Sequence, residues 1–268
     1  MEVRNLFNNL ILYRHILAQH LKSKMSYPLD FILGMIGMLL SQLIGIIFLG
    51  FVFMHIPQIK GWSFNELIFI YGFSLFPKSI DSFFSANLSV LTNSAIISGG
   101  LDKYYLRPMS IMFQLITDVF HSDALGEFVM GIVLFSLAYS LLGLDFNIYQ
   151  WILFILLIAF SAILLFSLKV IFTSLAFWFK RTSFLLNFIY SLSDYSKYPT
   201  SFFPAIIETL LTFIIPLSFA AFIPAAGLLE RISPVKYIVL LPLIAIIISV
   251  IAIIIWRLGI KRYESSGT

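Results

Sequence analysis

The sequence predicts an all-α integral membrane protein, a single domain over residues 1–268 with six transmembrane helices. Three observations carry that expectation. Hydrophobic residues make up 60% of the 268 and charged residues 11%, whereas a soluble domain carries about 25% charge because its surface faces water. The apolar residues are gathered in runs of the length, roughly 20 residues, that a helix needs to cross the hydrocarbon of a bilayer. The bases stand between those runs and form no continuous stripe, so the pI of about 9.2 speaks for orientation in a membrane and against nucleic acid. There is no cysteine, which removes disulfide and thiolate-metal chemistry.

Residues 1–28 place Leu6, Leu10, Tyr13, Leu17 and Leu21 at three- and four-residue intervals, with Arg4, Asn8, Arg14, His15, Gln19 and Lys22 among them. That period predicts an amphipathic helix on the cytoplasmic membrane surface, either a plain anchor or an elbow beside a partner's cytosolic domain. The apolar run after it is too long for a secretory signal and lacks a small-residue cleavage motif, so it is expected to stay as a span. Residues 29–54 carry no charge after Asp30 and reach about 39 Å as a helix, enough to cross with some tilt. Residues 64–91 form a second span interrupted by Pro77, Lys78 and Asp81. Residues 128–144 form a third, 149–179 a fourth that projects beyond the bilayer, and 235–256 the last. Between the last two, 183–193 is too short to cross alone, and Pro199, Pro204, Pro216 and Pro224 break the stretch from there to 230.

Charge sets the orientation. With the N-terminus in the cytoplasm, Arg4, Arg14, Lys22, Lys24, Lys103, Arg107, Lys180, Arg181, Arg257, Lys261 and Arg262 fall inside, against Lys60, Lys197, Arg231 and Lys236 outside. The positive-inside rule selects this arrangement, with both termini cytoplasmic in the cell membrane. An even number of crossings then requires that 183–230 cross once and carry material that returns to the same side. Residues 199–230 are expected to be a re-entrant hairpin at the outer face, because proline-broken helix at membrane depth must be covered by protein or line a water-filled cavity.

Candidate chemistry is sparse. No GxxxxGK[ST] occurs, so the chain is expected not to be an enzyme and not to bind nucleotide phosphates itself. His121 with Asp118, Asp123 and Glu127 could hold a divalent ion, but lacks any metal-specific spacing. Acids at the start of a helix favour its macrodipole, and the expectation is no metal site. Lys78 and Asp81 are three apart and share a helix face, so they are expected to neutralise each other as an intramembrane pair, either structural or on a pathway. Lys169 is expected to snorkel toward the cytoplasmic headgroups, and Glu66 and Glu208 to meet water at span ends. No series of mid-membrane acids suggests a proton relay.

The order of elements resembles the transmembrane subunits of ABC-2 type transporters over essentially the full chain. GGLDKYYLRPMS (99–110) looks like the loop these permeases carry between spans two and three, and FIIPLSFAAFIPAAGLL (213–229) like their proline hairpin before the last span. RLGIKRYESSGT (257–268) looks like the basic Arg-Tyr-x-Ser-x-Gly ending of one subfamily. The resemblance implies a permease subunit of an ATP-driven exporter or flippase. It pairs with a second permease, identical or related, and is driven by a cytosolic ABC ATPase that binds the ATP and Mg; this chain itself holds no cofactor. Residues 93–110 would then couple the two, with a short helix over 94–101 that includes Ser94, Gly99, Gly100 and Leu101. Asp102, Lys103, Arg107 and Pro108 would form its contacts. Pro216, Phe219, Phe222 and Pro224 would form an outer gate. The competing classes are an ion- or proton-coupled secondary transporter, which lacks an internal repeat here, and a non-transporting membrane scaffold.

Overall fold

The computed structural model describes residues 28–264 apart from 86, 93–95, 97–98, 118–122 and 180–181. The surface helix expected over 1–28 lies, but for Pro28, outside the described residues, as do Ser94, Asp118, His121, Lys180, Arg181 and the last four residues. Helix α1, Pro28–His55, leads to two short antiparallel strands, β1 Gln58–Ile59 and β2 Trp62–Ser63, paired Ile59 to Trp62. Lys60 and Gly61 make the tight turn with φ of 47° and 81°. Helix α2, Phe64–Ser85, runs back through the molecule. Three short helices come next, α3 Leu88–Val90, α4 Asp102–Tyr105 and α5 Ile111–Thr117, and then the long α6, Asp123–Leu141, and α7, Ile148–Ser174. Beyond α8, Ala176–Phe179, and α9, Ser183–Ser193, the chain is broken into single turns. It recovers in α10 Ala205–Thr209, α11 Phe222–Leu228 and the final α12, Leu241–Arg262.

Five helical stretches of the described residues are long and apolar enough to cross a membrane: Ile32–His55, Phe64–Ser85, Ala124–Leu141, Ile148–Phe179 and Val235–Arg262. They are the five clean spans expected from the sequence, with shifted ends. Pro77 does not break α2, because Phe76 on the same turn is packed edge-to-face against Phe128 and Phe135 of α6 and Phe154 of α7, which hold the helix across the missing N–H. The last span begins as a wide turn, Val235–Leu240, ahead of Pro242, which cannot donate to the preceding turn.

Helix α2 is central and α1 peripheral: Phe69, Ile70 and Phe73 are fully enclosed, while Ile44, Phe48 and Phe51 lie mostly exposed. A Cβ on Gly72 would stand 2.6 Å from the backbone nitrogen of Phe135, so this glycine sets how closely α2 and α6 approach. Around that crossing Phe69, Phe73, Phe135, Phe154 and Trp151 form one aromatic cluster, with Phe135 and Phe154 centroids 4.6 Å apart. Helix α7 starts on a capping box in which Asn147 and Gln150 bond each other's backbone N–H. A second cluster occupies the other end, where Leu88, Leu91, Leu101, Tyr104, Ile111 and Leu115 meet Val170, Phe177, Ala252 and Trp256. The molecule therefore has a turn end, carrying 58–63, and a loop end, carrying 99–110 and 257–263.

The stretch 183–193, too short to cross alone, is a helix packed on α7. Single turns come after it at Asp194–Lys197 and Thr200–Phe202, then α10 widens into Leu210–Ile214, and a further turn, Leu217–Ala220, precedes α11. Both ends of 201–231 meet the same turn: Lys60 donates to the Ser201 carbonyl, and Arg231 donates to the Gly61 carbonyl. Between them, Leu217 and Ala220 are fully buried.

Candidate functional site

Polar side chains buried inside an apolar helical molecule are costly, which makes them the first place to seek function. Lys78 and Asp81 do not pair with each other. Lys78 Nζ lies 2.8 Å from Asp194 Oδ1 and 3.3 Å from Glu127 Oε1, while Asp81 is bonded by Lys169, whose Nζ is also 3.3 Å from Ser85 Oγ. A three-residue step turns a helix by about 300°, leaving the two side chains roughly 60° apart. That is enough for one to face α6 and the 194 turn, and the other α7. Lys169 correspondingly does not snorkel: it is 3% exposed and its Nζ stands 4.2 Å above the Tyr190 ring. Depth matching would have found this pair, since Asp81 and Lys169 each lie about one turn from the loop end of their helices.

Glu127 is likewise buried, with Ser82 donating to it at 3.3 Å, and pairs with Lys78. Lys197, expected at the outer surface, stands 4.4 Å above the Tyr71 ring, and Tyr71 donates to Gln42 of α1. Lys78, Lys169 and Lys197 thus balance Asp81, Glu127 and Asp194. The set ties α1, α2, α6 and α7 to the first half of the broken region. Near the turn end Glu66 does not simply meet water: it accepts from Ser63 and pairs with Arg231 at 2.8 Å, while Glu208 accepts from Thr200.

At the loop end half of the helix expected over 94–101 lies outside the described residues. Residues 96 and 99–101 lie in turns and the helix is Asp102–Tyr105. Gly99 adopts φ of 69°, which glycine allows without strain, and its carbonyl accepts from the Asp102 N–H, so the Gly-Gly pair precedes the described helix. The base of the loop is fixed. Leu101 and Tyr104 are buried, and Gln114 of α5 donates to the carbonyls of Tyr104 and Met109 at 2.8 and 3.0 Å. Tyr263 donates to Asp102 at 2.9 Å and stacks on Tyr105. Burial, and then that hydrogen bond to Asp102, push the Tyr263 phenol up to about 12, so it remains a donor at neutral pH. Above this base Lys103, Tyr105, Leu106, Arg107 and Pro108 are exposed, Leu106 at 86%.

Pro216, Phe219, Phe222 and Pro224 are all buried. Phe222 meets Trp62 edge-to-face at 5.6 Å, and Arg231 covers the same indole at 5.0 Å. Sequence reasoning missed Gln42, Trp62, Tyr71, Gln114, Tyr190, Asp194 and Tyr263 among the residues of these sites. Of these only Tyr263 had a signal, its place in the basic tail.

The family model described as ABC-2 family transporter protein matches residues 39–267. No curated protein and no solved structure matches the chain.

Proposed function

Because the chain belongs to the ABC-2 family of transporter proteins, we propose that it is the transmembrane permease subunit of an ATP-driven exporter or flippase. Hydrolysis takes place in a separate cytosolic ATPase that binds the ATP and Mg, and a second permease, identical or related, completes the pathway. The observation that carries this reading is the loop end, where exposed Tyr105, Leu106, Arg107 and Pro108 stand on a base anchored by Gln114 and Tyr263. A protruding apolar and basic tip that cannot swivel on its base is what transmits a push from a partner. Disordered contacts would absorb it.

In this reading the loop end is cytoplasmic and both termini lie there, in accord with the distribution of bases. Residues 183–203 make the sixth crossing as α9 plus single turns. Residues 205–230 dip into the membrane and return, supported by the shared attachment of both their flanks to Lys60 and Gly61. The gate assignment of Pro216, Phe219, Phe222 and Pro224 draws on their burial and on the packing of Phe222 against Trp62 at the turn end. The elbow role of 1–28 and the subfamily identity of the 257–268 tail belong to the same proposal.

The test is the double variant Leu106→Asp, Arg107→Glu. Asp102 is left alone because its bond to Tyr263 also holds the tail. Both replaced side chains are exposed in the single chain, so its folding changes by no more than about 0.5 kcal/mol. Truncating a desolvated partner at an interface costs about 2–5 kcal/mol, so co-purification of the ATPase and substrate-stimulated hydrolysis in liposomes are both expected to be lost. Wild-type assembly and transport would overturn the coupling role.

A further inference from the structure

Beside the Lys169–Asp81 pair a cavity of about 640 Å³ opens between α2, α5, α7 and α12, a size typical of small-molecule sites. Its lining is apolar except for Asp81, Ser167, Ser249 and the indole N–H of Trp256. The mouth carries Phe84, Ile163 and Ile253, which are 37%, 44% and 50% exposed on helices that cross the membrane, so it faces hydrocarbon rather than water.

The polar groups near the pair have one character. Ser249 donates to the Ala245 carbonyl at 2.6 Å, so in the 2.8 Å contact between the two hydroxyls Ser167 is the donor. Both hydroxyl hydrogens are therefore used. Lys169 spends its donors on Asp81 and Ser85 and sets its charge against the Tyr190 ring. At the level of the pair what is left is acceptors, above all Asp81 Oδ1, which is buried without a hydrogen-bond partner. An orphan carboxylate oxygen beside an apolar cavity is unfavourable until a donor reaches it.

The cavity also has a direction. Along α7 its lining runs from Ala159 to Val170, about 16 Å. From the level of Asp81 the α7 lining, Ala159 to Phe166, extends toward the middle of the bilayer, while Met112, Ile116, Ala252 and Trp256 close the cavity on the loop-end side. A lipid-like molecule in the loop-end leaflet lies the same way, head at the face and chain inward.

We propose that this cavity binds a single-chain amphiphile entering sideways from the loop-end leaflet, with its alkyl or isoprenoid body along α7 and a donor head, hydroxyl or amine, at Asp81. Binding is a property of the cavity alone. That the bound molecule is cargo rests on the permease reading.

The experiment uses the full chain purified with whatever ATPase accompanies it, in lipid nanodiscs. The probe is an 18-carbon amino alcohol carrying a mid-chain diazirine and a terminal alkyne, compared with the same chain bearing a carboxylate head. The amino alcohol is expected to label peptides containing Met112, Ile163 or Ile253 at least tenfold more than the carboxylate. Ala162→Phe fills the cavity from its wall and should reduce labelling tenfold or more. Ile253→Trp, at the exposed mouth, does the same where Ala162→Phe fails to fold. Equal labelling by both heads would mean ordinary lipid contact only, and labelling that survives a filling variant that folds would place the probe elsewhere. Either result overturns the proposal, as would a mouth closed by a second copy and no labelling at all. Labelling as predicted with no ATPase present would leave the cavity standing and sink the permease reading. Failed labelling with the ATPase bound would do the reverse.

Discussion

Asp81 and Lys169 are 1% and 3% exposed and bonded to each other inside the helices, so removing one charge strands the other. Breaking a buried pair from one side costs about 3–5 kcal/mol. The two halves are not equivalent. In Asp81→Asn the Lys169 ammonium keeps the Tyr190 ring at 4.2 Å and the Ser85 hydroxyl at 3.3 Å, and a desolvated cation over a ring recovers about 1–2 kcal/mol. In Lys169→Met the carboxylate keeps no cation within bonding distance. The expected losses are therefore about 2–3 kcal/mol for Asp81→Asn and about 4 kcal/mol for Lys169→Met. The double variant should lie within about 1–2 kcal/mol of wild type, because no charge is then left stranded. The assay is reversible unfolding in mixed micelles, with the three variants closing a double-mutant cycle. At about 2–4 °C per kcal/mol, Lys169→Met should lower the melting temperature by on the order of 10 °C. A double variant as unstable as the sum of the singles would refute the pairing, and equal costs for the two singles would refute the role given to Tyr190.

Glu127 is buried and Asp194 half-exposed in their shared contact with Lys78, so Glu127→Gln should cost about 2–3 kcal/mol and Asp194→Asn less than about 1 kcal/mol, read by the same unfolding assay. Gly72→Ala drives a Cβ into the Phe135 backbone, which no side-chain rotation relieves, and should cost about 2–3 kcal/mol. Gly37→Ala, with nothing within 4 Å, should be neutral or gain up to about 1 kcal/mol in the same micelles. Single cysteines at Gln58 and Asp145, both exposed at the turn end, should react with an impermeant thiol reagent on intact cells, whereas one at Glu264 should not. Labelling of Glu264 from outside would invert the orientation.

The five long spans were legible because apolar runs of that length have few other uses, whereas 183–193 was legible only as a stretch too short to cross alone. Long-range polar partners were not. Local spacing offered Lys78 and Asp81 to each other, and only the depth of Lys169 in a separate helix competes with that signal. The loop was half legible: GGLDKYYLRPMS announced a polar connection, but not the helical turn Asp102–Tyr105 that follows its glycines. Nothing in the loop itself foretold that Tyr263, at the far end of the chain, would hold Asp102. The prolines of 199–224 announced a broken stretch, while Trp62, on which Phe222 packs, sits in a two-residue strand too short to leave a pattern.

The central claim is that force from an ATPase arrives at the tip of the loop end. Its most direct test replaces Leu106, 86% exposed, by a benzophenone-bearing amino acid in living cells, with Tyr149 at the turn end, 78% exposed, as the paired control. Irradiation is predicted to join position 106, and not position 149, to a protein whose peptides include a P-loop nucleotide-binding sequence. Capture of that ATPase at 149, or of lipid alone at 106, would contradict the account.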